Sequence, residues 1–275
     1  MNIHFFKFAS LLYFLGTIAY LGYVLFLKQN LSRLAVTIVS IGLASHTLAL
    51  IARYAEAGYT PVTNLHESLS FFAWMIMGIL LIVNLKYRVK ILGAFLTPVA
   101  LILMLFALAL PKEILPLAPV LRSFWHPLHV LFAFLGNAIF ALAFCCGVMY
   151  LIQERQLKSK KFGAITKRLP PLKVLDDLNY QSLKFGFPLL TLGIITGAVW
   201  ANYAWGRYWD WDPKETWSLI TWLLYAALLH QRLTVGWRGR KAAIMAIVGF
   251  LAVLFTFLGV NLLLSGLHTY SKWEG

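Results

Sequence analysis

Long apolar runs recur along the sequence and constrain its fold more than any other feature. Most are about as long as a helix that crosses a hydrocarbon core of about 30 Å, which takes about 20 residues. The seventh run is short and relies on its flanking residues. The runs lie at about 6–27, 34–52, 67–85, 91–110, 127–152, 185–203, 216–230 and 242–265. The sequence therefore predicts an all-α fold, a polytopic transmembrane bundle of about eight helices.

The distribution of basic residues predicts the orientation of this bundle. With 60% hydrophobic and 12% charged residues, the chain is too apolar for a soluble domain, so a lipid bilayer must surround most of it. If the runs alternate across the membrane, 17 of the 24 Lys and Arg residues fall in one set of loops. The positive-inside rule makes that side cytoplasmic and leaves both termini outside the cytoplasm. The net charge of +14 thus orients the protein and does not indicate binding to nucleic acid.

One long hydrophilic segment, at about 153–184, divides the chain. It is basic and contains Pro170-Pro171, so it is predicted to be a cytoplasmic connector with one or two short helices. Five helices in 1–152 precede it and three in 185–275 follow it. Because no internal repeat or separate soluble segment is evident, residues 1–275 are predicted to form a single membrane domain.

Residues 200–217 concentrate aromatic side chains in the predicted outer loop that follows the sixth run. Five tryptophans and two tyrosines fall within these positions, interleaved with charged residues. The aromatic belt of a membrane interface explains a single tryptophan, but it does not require this density. Flat apolar rings beside charged groups suit a large planar ligand with anionic edges, such as haem.

Some residues of this loop also have local structural explanations. Asp212, Pro213 and Glu215 form the pattern of a helix start, with Asp212 as N-cap and Glu215 closing a capping box. Capping and ligand binding remain equally open for these two carboxylates. Arg207 and Lys214 can pair with the propionates of haem or with the neighbouring carboxylates.

Three histidines lie at depths that suit ligation of a haem iron. His129 begins the fifth run and His268 ends the eighth, both at the level of the tryptophan-rich loop, so two imidazoles could hold one iron from opposite faces. His230 lies thirteen positions beyond Trp217, about 20 Å nearer the cytoplasm. There it is either a ligand of a second haem or a side chain that reaches to the inner interface.

The other histidines are less informative. His46 lies in the middle of the second run and is expected to hydrogen-bond to a neighbouring helix. No role follows for the outer-loop residues His66 and His126.

The segment W-G-R-Y-W-D-W-D-P-K-E-T-W closely resembles the tryptophan-rich WWD signature of the CcsA/ResC family of cytochrome c biogenesis proteins. The resemblance extends through G-x-x-x-G-A-V-W-A-N, T-W-L-L-Y-A-A-L-L-H and F-L-G-V-N-L-L-L-S-G-L-H-T-Y. Upstream, P-V-T-N-L-H-E-S-L-S-F is similar to another family segment, with His66 in place of the usual Tyr. Tyr208 departs from the family as well, since relatives often have Trp there. The resemblance covers most of the chain from about residue 46 onward.

The resemblance implies a function, a cofactor and partners. The chain would be the haem-handling subunit of a cytochrome c synthase, active as a lyase only together with a Ccs1/ResB-type membrane protein. It would move haem b, bound non-covalently, across the membrane and present it outside for thioether attachment to the C-x-x-C-H motif of apocytochrome c. Two alternatives remain: a haem transporter or chaperone like the CcmC-like proteins, and a structural subunit anchored by its loop. The expected membrane is the bacterial plasma membrane or, failing that, the thylakoid.

The family's functional positions carry over to this sequence residue by residue. His129 and His268 correspond to the external axial ligands of the haem iron. His230 corresponds to an intramembrane ligand whose companion is expected on the partner chain. No acid–base pair is evident, so catalysis would rest on positioning. The haem-contacting residues expected in the loop are Trp205, Gly206, Tyr208, Trp209, Asp210, Trp211, Asp212, Pro213, Lys214, Glu215 and Trp217.

Overall fold

The protein is an all-α bundle, which confirms the predicted fold class. The structure, a computed structural model, describes residues 1–26, 28–87, 89–160, 168–264 and 266, and no strand occurs in these ranges. The helices are α1 (Asn2–Phe26), α2 (Gln29–Ala57), α3 (Leu65–Tyr87), α4 (Leu92–Ala109), α5 (Trp125–Lys158), α6 (Leu172–Trp205), α7 (Pro213–His230) and α8 (Arg240–Leu263). A short 3₁₀ turn covers Pro119–Leu121, and π-helical turns cover Gln231–Val235 and, within α8, Phe255–Gly259.

Seven of these helices are long and apolar enough to cross a membrane, so the chain is an integral membrane protein. The remaining helix, α7, has only 18 residues. It corresponds to the seventh apolar run, which the sequence predicted to be short. Each predicted run corresponds to one helix, and the observed helices extend beyond most of the runs at one or both ends. Amphipathic and charged residues at these ends explain the difference, because they continue a helix after the apolar run has stopped.

The connector predicted for 153–184 is shorter than expected. α5 and α6 each have 34 residues and a length of about 51 Å, which exceeds a hydrocarbon core of about 30 Å. Residues 172–184 are the first turns of α6, so the prediction of separate short helices is wrong for them. Residues 161–167 lie outside the described part of the chain.

Ion pairs explain why these helices continue beyond the apolar runs. Arg232 binds both carboxylate oxygens of Asp176, at 2.9 and 2.6 Å, and ties the end of α7 to the start of α6. Glu154 on α5 binds Lys158 at 2.8 Å and Arg240 of α8 at 3.0 Å. Charges that would otherwise be unpaired beside the lipid headgroups are thus neutralised between helices.

The loops alternate between the two ends of the bundle, as the charge pattern assumed. One end carries the tryptophan-rich segment 200–217, of which residues 206–212 form the loop between α6 and α7, and is called the outer end. There Trp200 Nε1 donates to the carbonyl of Val120 at 3.1 Å. At the opposite end, Arg168 donates to the hydroxyl of Tyr23 at 3.0 Å. Which end faces the cytoplasm stays a prediction from the distribution of Lys and Arg.

His46 ties three helices together inside the bundle. Its ring is fully buried, and its nitrogens lie 3.2 Å from the Tyr13 hydroxyl on α1 and 2.9 Å from the Ser70 hydroxyl on α3. The predicted hydrogen bond to a neighbouring helix is confirmed, and His46 has a structural explanation.

A buried ion pair joins three segments at the outer end. The side chains of Arg53 and Glu67 are only 5% and 2% exposed, and they meet at 2.9 Å. Arg53 also donates to the carbonyls of Lys112 and Glu113, at 2.6 and 3.0 Å. The second oxygen of Glu67 accepts from the backbone and hydroxyl of Thr63, both at 2.9 Å. The pair therefore fixes the end of α2, the start of α3 and the segment after α4.

Replacing Glu67 with Ala should lower the free energy of unfolding by about 3–5 kcal/mol, because Arg53 would keep its burial and lose its counter-ion. Thermal unfolding of the purified protein in detergent, followed by circular dichroism, measures the change. Glu113→Ala is the matched control, since it removes an exposed carboxylate and leaves the carbonyl that Arg53 binds. Equal losses in the two variants would contradict the assigned role of the ion pair.

Candidate functional site

A cavity opens at the outer end between α5, α6, α7 and α8. Its volume is about 150 Å³. One predicted ligand, His129, and four predicted residues of the loop and of the first turn of α7 lie on its wall. The lining residues that matter most are His126, His129, Asn137, Gly193, Gly197, Trp200, Tyr208, Trp209, Lys214 and Glu215.

His129 is held in one orientation on the α5 side of the cavity. Its Nδ1 lies 2.7 Å from the carbonyl oxygen of Gly193, and because a carbonyl can only accept, Nδ1 must donate. In a neutral imidazole the lone pair is then on Nε2. Metal-binding histidines are commonly oriented by such a bond from their other nitrogen. A neutral His129 held in this way has its acceptor nitrogen at Nε2, an arrangement that metal-binding histidines share.

Two glycines of α6 allow this contact. A Cβ added to Gly197 would lie 2.6 Å from His129 Nδ1, and one added to Gly193 would lie 3.0 Å from the backbone nitrogen of Ala133. The backbones of α5 and α6 are therefore in close contact here. Both glycines belong to the G-x-x-x-G segment, whose spacing is typical of tightly packed membrane helices.

Trp200 and His126 belong to the site although the predicted set did not include them. Trp200 is fully buried, and its ring stacks with that of His129 at 6.1 Å between centroids. The ring of His126, which is 5% exposed, lies 5.0 Å from Trp200. The spacing of His126 and His129, three residues apart on one helix, was a signal that both could face the same side.

The loop after α6 presents its aromatic rings over the cavity. Gly206 ends α6 in a left-handed conformation with φ of 75°, which glycine adopts without strain. Trp209 then lies on the cavity wall and contacts Trp211 edge-on at 5.8 Å. Tyr208 and Trp211 are 61% and 70% exposed. Trp211 has a φ of 55°, unusual for a residue with a side chain, so its outward position is imposed by the surrounding structure.

The two carboxylates at the end of the loop cap helix α7. Asp212 accepts from the backbone of Lys214 at 3.0 Å, and Glu215 accepts from the backbone of Asp212 at 3.2 Å, which completes a capping box. Glu215 also accepts from the backbone of Asp210 at 2.8 Å. The capping interpretation is confirmed. Of the two alternatives for Arg207, the structure shows pairing with a neighbouring carboxylate, that of Asp210.

Two polar groups of the lining are suited to an anionic or polar ligand. Lys214 places a cation on the wall at the N-terminus of α7, where the helix dipole adds positive potential. Deeper in the cavity, Asn137 Oδ1 is buried and receives no hydrogen bond from the described residues. An unsatisfied buried acceptor costs about 1–3 kcal/mol, which favours a donor from water or from a bound ligand. An imidazole, aromatic rings and a cation around one cavity fit haem.

Other predicted loop residues serve the packing around the cavity. Trp205 packs edge-on against Trp200 at 5.0 Å, and Trp217 packs against Phe255 of α8 at 4.2 Å. Gly206, Asp210, Trp211, Asp212 and Pro213 lie in the same loop and cap but do not line the cavity wall.

The other two predicted iron ligands lie apart from this wall or outside the described residues. His230 is exposed at the opposite end of α7, beside the Asp176–Arg232 pair. His268 lies outside the described residues. The described residue closest to it in sequence, Gly266, comes so near to Asp212 that a Cβ at this position would overlap the carboxylate. Gly266 thus lies beside the cap that follows the tryptophan-rich loop.

Comparison with known proteins identifies the family. Residues 62–268 match the family described as cytochrome C assembly protein, and the chain belongs to that family. Relatives named cytochrome c biogenesis protein CcsA occur in Pyropia yezoensis, with 40% identity over 88% of both chains, and in Synechocystis, with 38% identity over 95% of both. The CcsA of Microcystis aeruginosa is 42% identical over 80% of this chain and 81% of its own. The resemblance stated from the motifs is confirmed, and it supports a role in cytochrome c maturation.

A solved structure shares the fold. The protein named cytochrome c haem lyase CcmF is similar over the whole of this chain, with a TM-score of 0.70 and 18% identity. The chain spans about half of that protein, 48% of its length. At this identity the likeness concerns the arrangement of helices only.

Gly197→Ala should destabilise the protein, because the added methyl group must displace the His129 ring. Overpacking of this kind costs about 1–3 kcal/mol, more than the gain of about 1 kcal/mol when Ala replaces Gly in a helix. Gly78→Ala is the control, since nothing lies within 4 Å of a Cβ there and only the gain remains. The thermal midpoint should fall in the first variant and rise in the second. A rise in both would contradict the close contact.

Proposed function

We propose that this chain is the haem-handling subunit of a cytochrome c synthase, which takes haem across the membrane and presents it outside for covalent attachment to apocytochrome c. The observation that carries the proposal is the orientation of His129 by Gly193 on the wall of a cavity bordered by the tryptophan-rich loop. Family membership supports the same role, because its relatives are named for cytochrome c biogenesis.

Haem b would bind in the outer cavity without a covalent bond. His129 would hold the iron through Nε2, and His268 would hold it from the opposite face. The contact of Gly266 with Asp212 supports this pairing, because Gly266 precedes His268 by two residues in sequence and lies beside the cap that follows the tryptophan-rich loop. Two imidazole ligands would keep the iron protected until a histidine of the acceptor replaces one of them.

The loop would hold the porphyrin by its faces and edges. The rings of Tyr208 and Trp209 supply flat apolar surface, and Lys214 supplies a cation for a propionate. Arg207 is exposed and paired with Asp210, so it can reach a propionate only by leaving that partner. The remaining loop residues fix the shape of the site through the capping box and the contacts of Trp205 and Trp217.

The attachment reaction needs little chemistry from the chain. A thiol S–H of the C-x-x-C-H segment adds across a haem vinyl group, with sulfur bonding to one carbon and hydrogen to the other, so no net electron transfer occurs in this step. Holding the vinyl group and the thiol together would supply most of the acceleration. The chain is expected to act in this way only with a Ccs1/ResB-type partner, in a bacterial plasma membrane or a thylakoid membrane.

His230 would serve a second haem position nearer the opposite end. Its side chain is exposed on the bundle surface, so a companion ligand can come from another chain. The backbone around it is fixed, because Thr234 donates to the His230 carbonyl at 2.7 Å and Arg232 is held by Asp176. An exposed imidazole on an ordered stretch of backbone is suited to a site completed by a partner.

The first experiment compares visible spectra of the purified protein, with and without its partner, for wild type, His129→Ala, His268→Ala and His230→Ala. We expect a low-spin bis-histidine spectrum that the first two changes disturb, and a further loss of bound haem from the third. His4→Ala is the control, an exposed histidine near the outer end and away from the cavity. A wild-type spectrum without haem, or one unaffected by all three changes, would contradict the proposal.

Covalent attachment separates a synthase from a transporter. The chain and its partner, expressed with an apocytochrome that has C-x-x-C-H, should yield a haem-stained band that survives denaturation. Bound haem without any covalent product would show that the chain is a transporter or chaperone and that the synthase assignment is wrong.

A further inference from the structure

A second concave site lies at the end of the bundle opposite the outer cavity. It is a groove between the end of α5 and the start of α8, lined by Leu151, Arg155, Lys158, Ser159 and Arg240. Its volume is about 500 Å³, and it is wide open at the surface. None of these residues takes part in the proposed haem chemistry.

The groove carries an excess of positive charge. Three of its residues, Arg155, Lys158 and Arg240, are cations, and Glu154 is the carboxylate that pairs with two of them. Three positive charges and one negative charge leave a net charge of +2. Arg155 has no carboxylate partner within the described ranges of the chain. Its guanidinium can therefore bind an anion from outside without breaking an ion pair.

Glu154 also organises the other two cations. It binds Lys158 at 2.8 Å and Arg240 at 3.0 Å through different oxygens, so both side chains are held beside the groove. Both side chains are also exposed, at 68% and 62%, so an anion can reach them. The cations come from two membrane-crossing helices, which fixes their separation more firmly than a loop would.

The position of the groove favours a lipid. α5 and α8 pack together deeper in the bundle, where Phe144 and Phe250 lie 5.0 Å apart. Leu151 lies one helical turn before Arg155 and gives the groove an apolar side towards the membrane. A molecule that fits must therefore have an anionic group at the level of the cations and an apolar part that continues into the bilayer.

We infer that this groove binds the headgroup phosphate of an anionic phospholipid. Basic pockets between membrane helices on the cytoplasmic side are a known mode of lipid recognition, and the charge distribution places this end there. Free phosphate has the same anionic chemistry but no apolar part, so only the lipid uses both sides of the groove.

The test measures protection by lipid of the full-length protein purified in detergent. Thermal midpoints are titrated with phosphatidylglycerol, with phosphatidylcholine of the same acyl chains, and with inorganic phosphate at constant ionic strength. Phosphatidylglycerol should protect the wild type most. The double variant Arg155→Gln/Arg240→Gln should bind it at least about tenfold more weakly, because the loss of even one charge-assisted hydrogen bond has about that effect.

A charge-matched control distinguishes a site from diffuse surface charge. Lys28→Gln/Lys173→Gln removes two exposed cations from the same end of the bundle that do not line the groove, and it should leave the titration unchanged. Arg155→Gln alone keeps the Glu154 pairs intact, so it reports on binding even if the double variant unfolds early. It should weaken protection in the same direction.

Three results would overturn the inference. Equal weakening in the control would indicate a non-specific basic surface. Equal protection by phosphatidylcholine would remove the role of the anionic headgroup, and equal protection by inorganic phosphate would identify a site for free anions. The measurement needs neither haem nor a partner, so its outcome is independent of the proposed synthase function.

Discussion

Contact between the backbones of α5 and α6 determines the geometry of the outer cavity. In lipid, helices gain little from burying apolar side chains against each other, so they associate through close packing and polar contacts. Gly193 and Gly197 provide the close packing, and the bond from His129 to the Gly193 carbonyl provides the polar contact. One interface thus holds the helices together and sets the direction of the imidazole. The orientation of His129 therefore depends on the sequence of α6 as much as on that of α5.

The N-terminal helices support this interface through a series of contacts. Arg53 and Glu67 fix the segment after α4 by its carbonyls, and the same segment reaches Trp200 through the carbonyl of Val120. Trp200 in turn stacks with His129. The matched family region begins at Val62 and includes Glu67, so this ion pair and the tryptophan-rich loop that it supports both lie within the matched region.

The sequence predicted the helices well because the length of an apolar run reflects the thickness of the membrane. It predicted the connector poorly, because the helical extensions of α5 and α6 depend on charges that are far apart in the chain, such as Asp176 and Arg232. Within the site, the caps formed by Asp212 and Glu215 follow from local spacing, so the sequence could show them. The spacing of His126 and His129 indicates that the two could face one side, but the place of Trp200 on the wall depends on how α5 and α6 are rotated against each other, which no local pattern records. Tertiary packing also determines that Trp209 faces the cavity, whereas Trp205 and Trp217 pack against neighbouring rings.

The number of residues in the π-helical turn Phe255–Gly259 determines the direction in which the side chains of Val260–Leu263 point. Such a turn holds one residue more than an α-helical turn, so it acts as a single-residue insertion absorbed within a helix. Thr256 and Phe257, which line the cavity, lie in this turn. Loss of one residue here would restore a regular helix and rotate everything that follows by about 100° about the helix axis. The face of α8 that lies on the cavity wall, with Thr256 and Phe257, is therefore a matter of helical phase, and the deletion of one residue from the turn changes this phase while the composition of the helix stays almost the same.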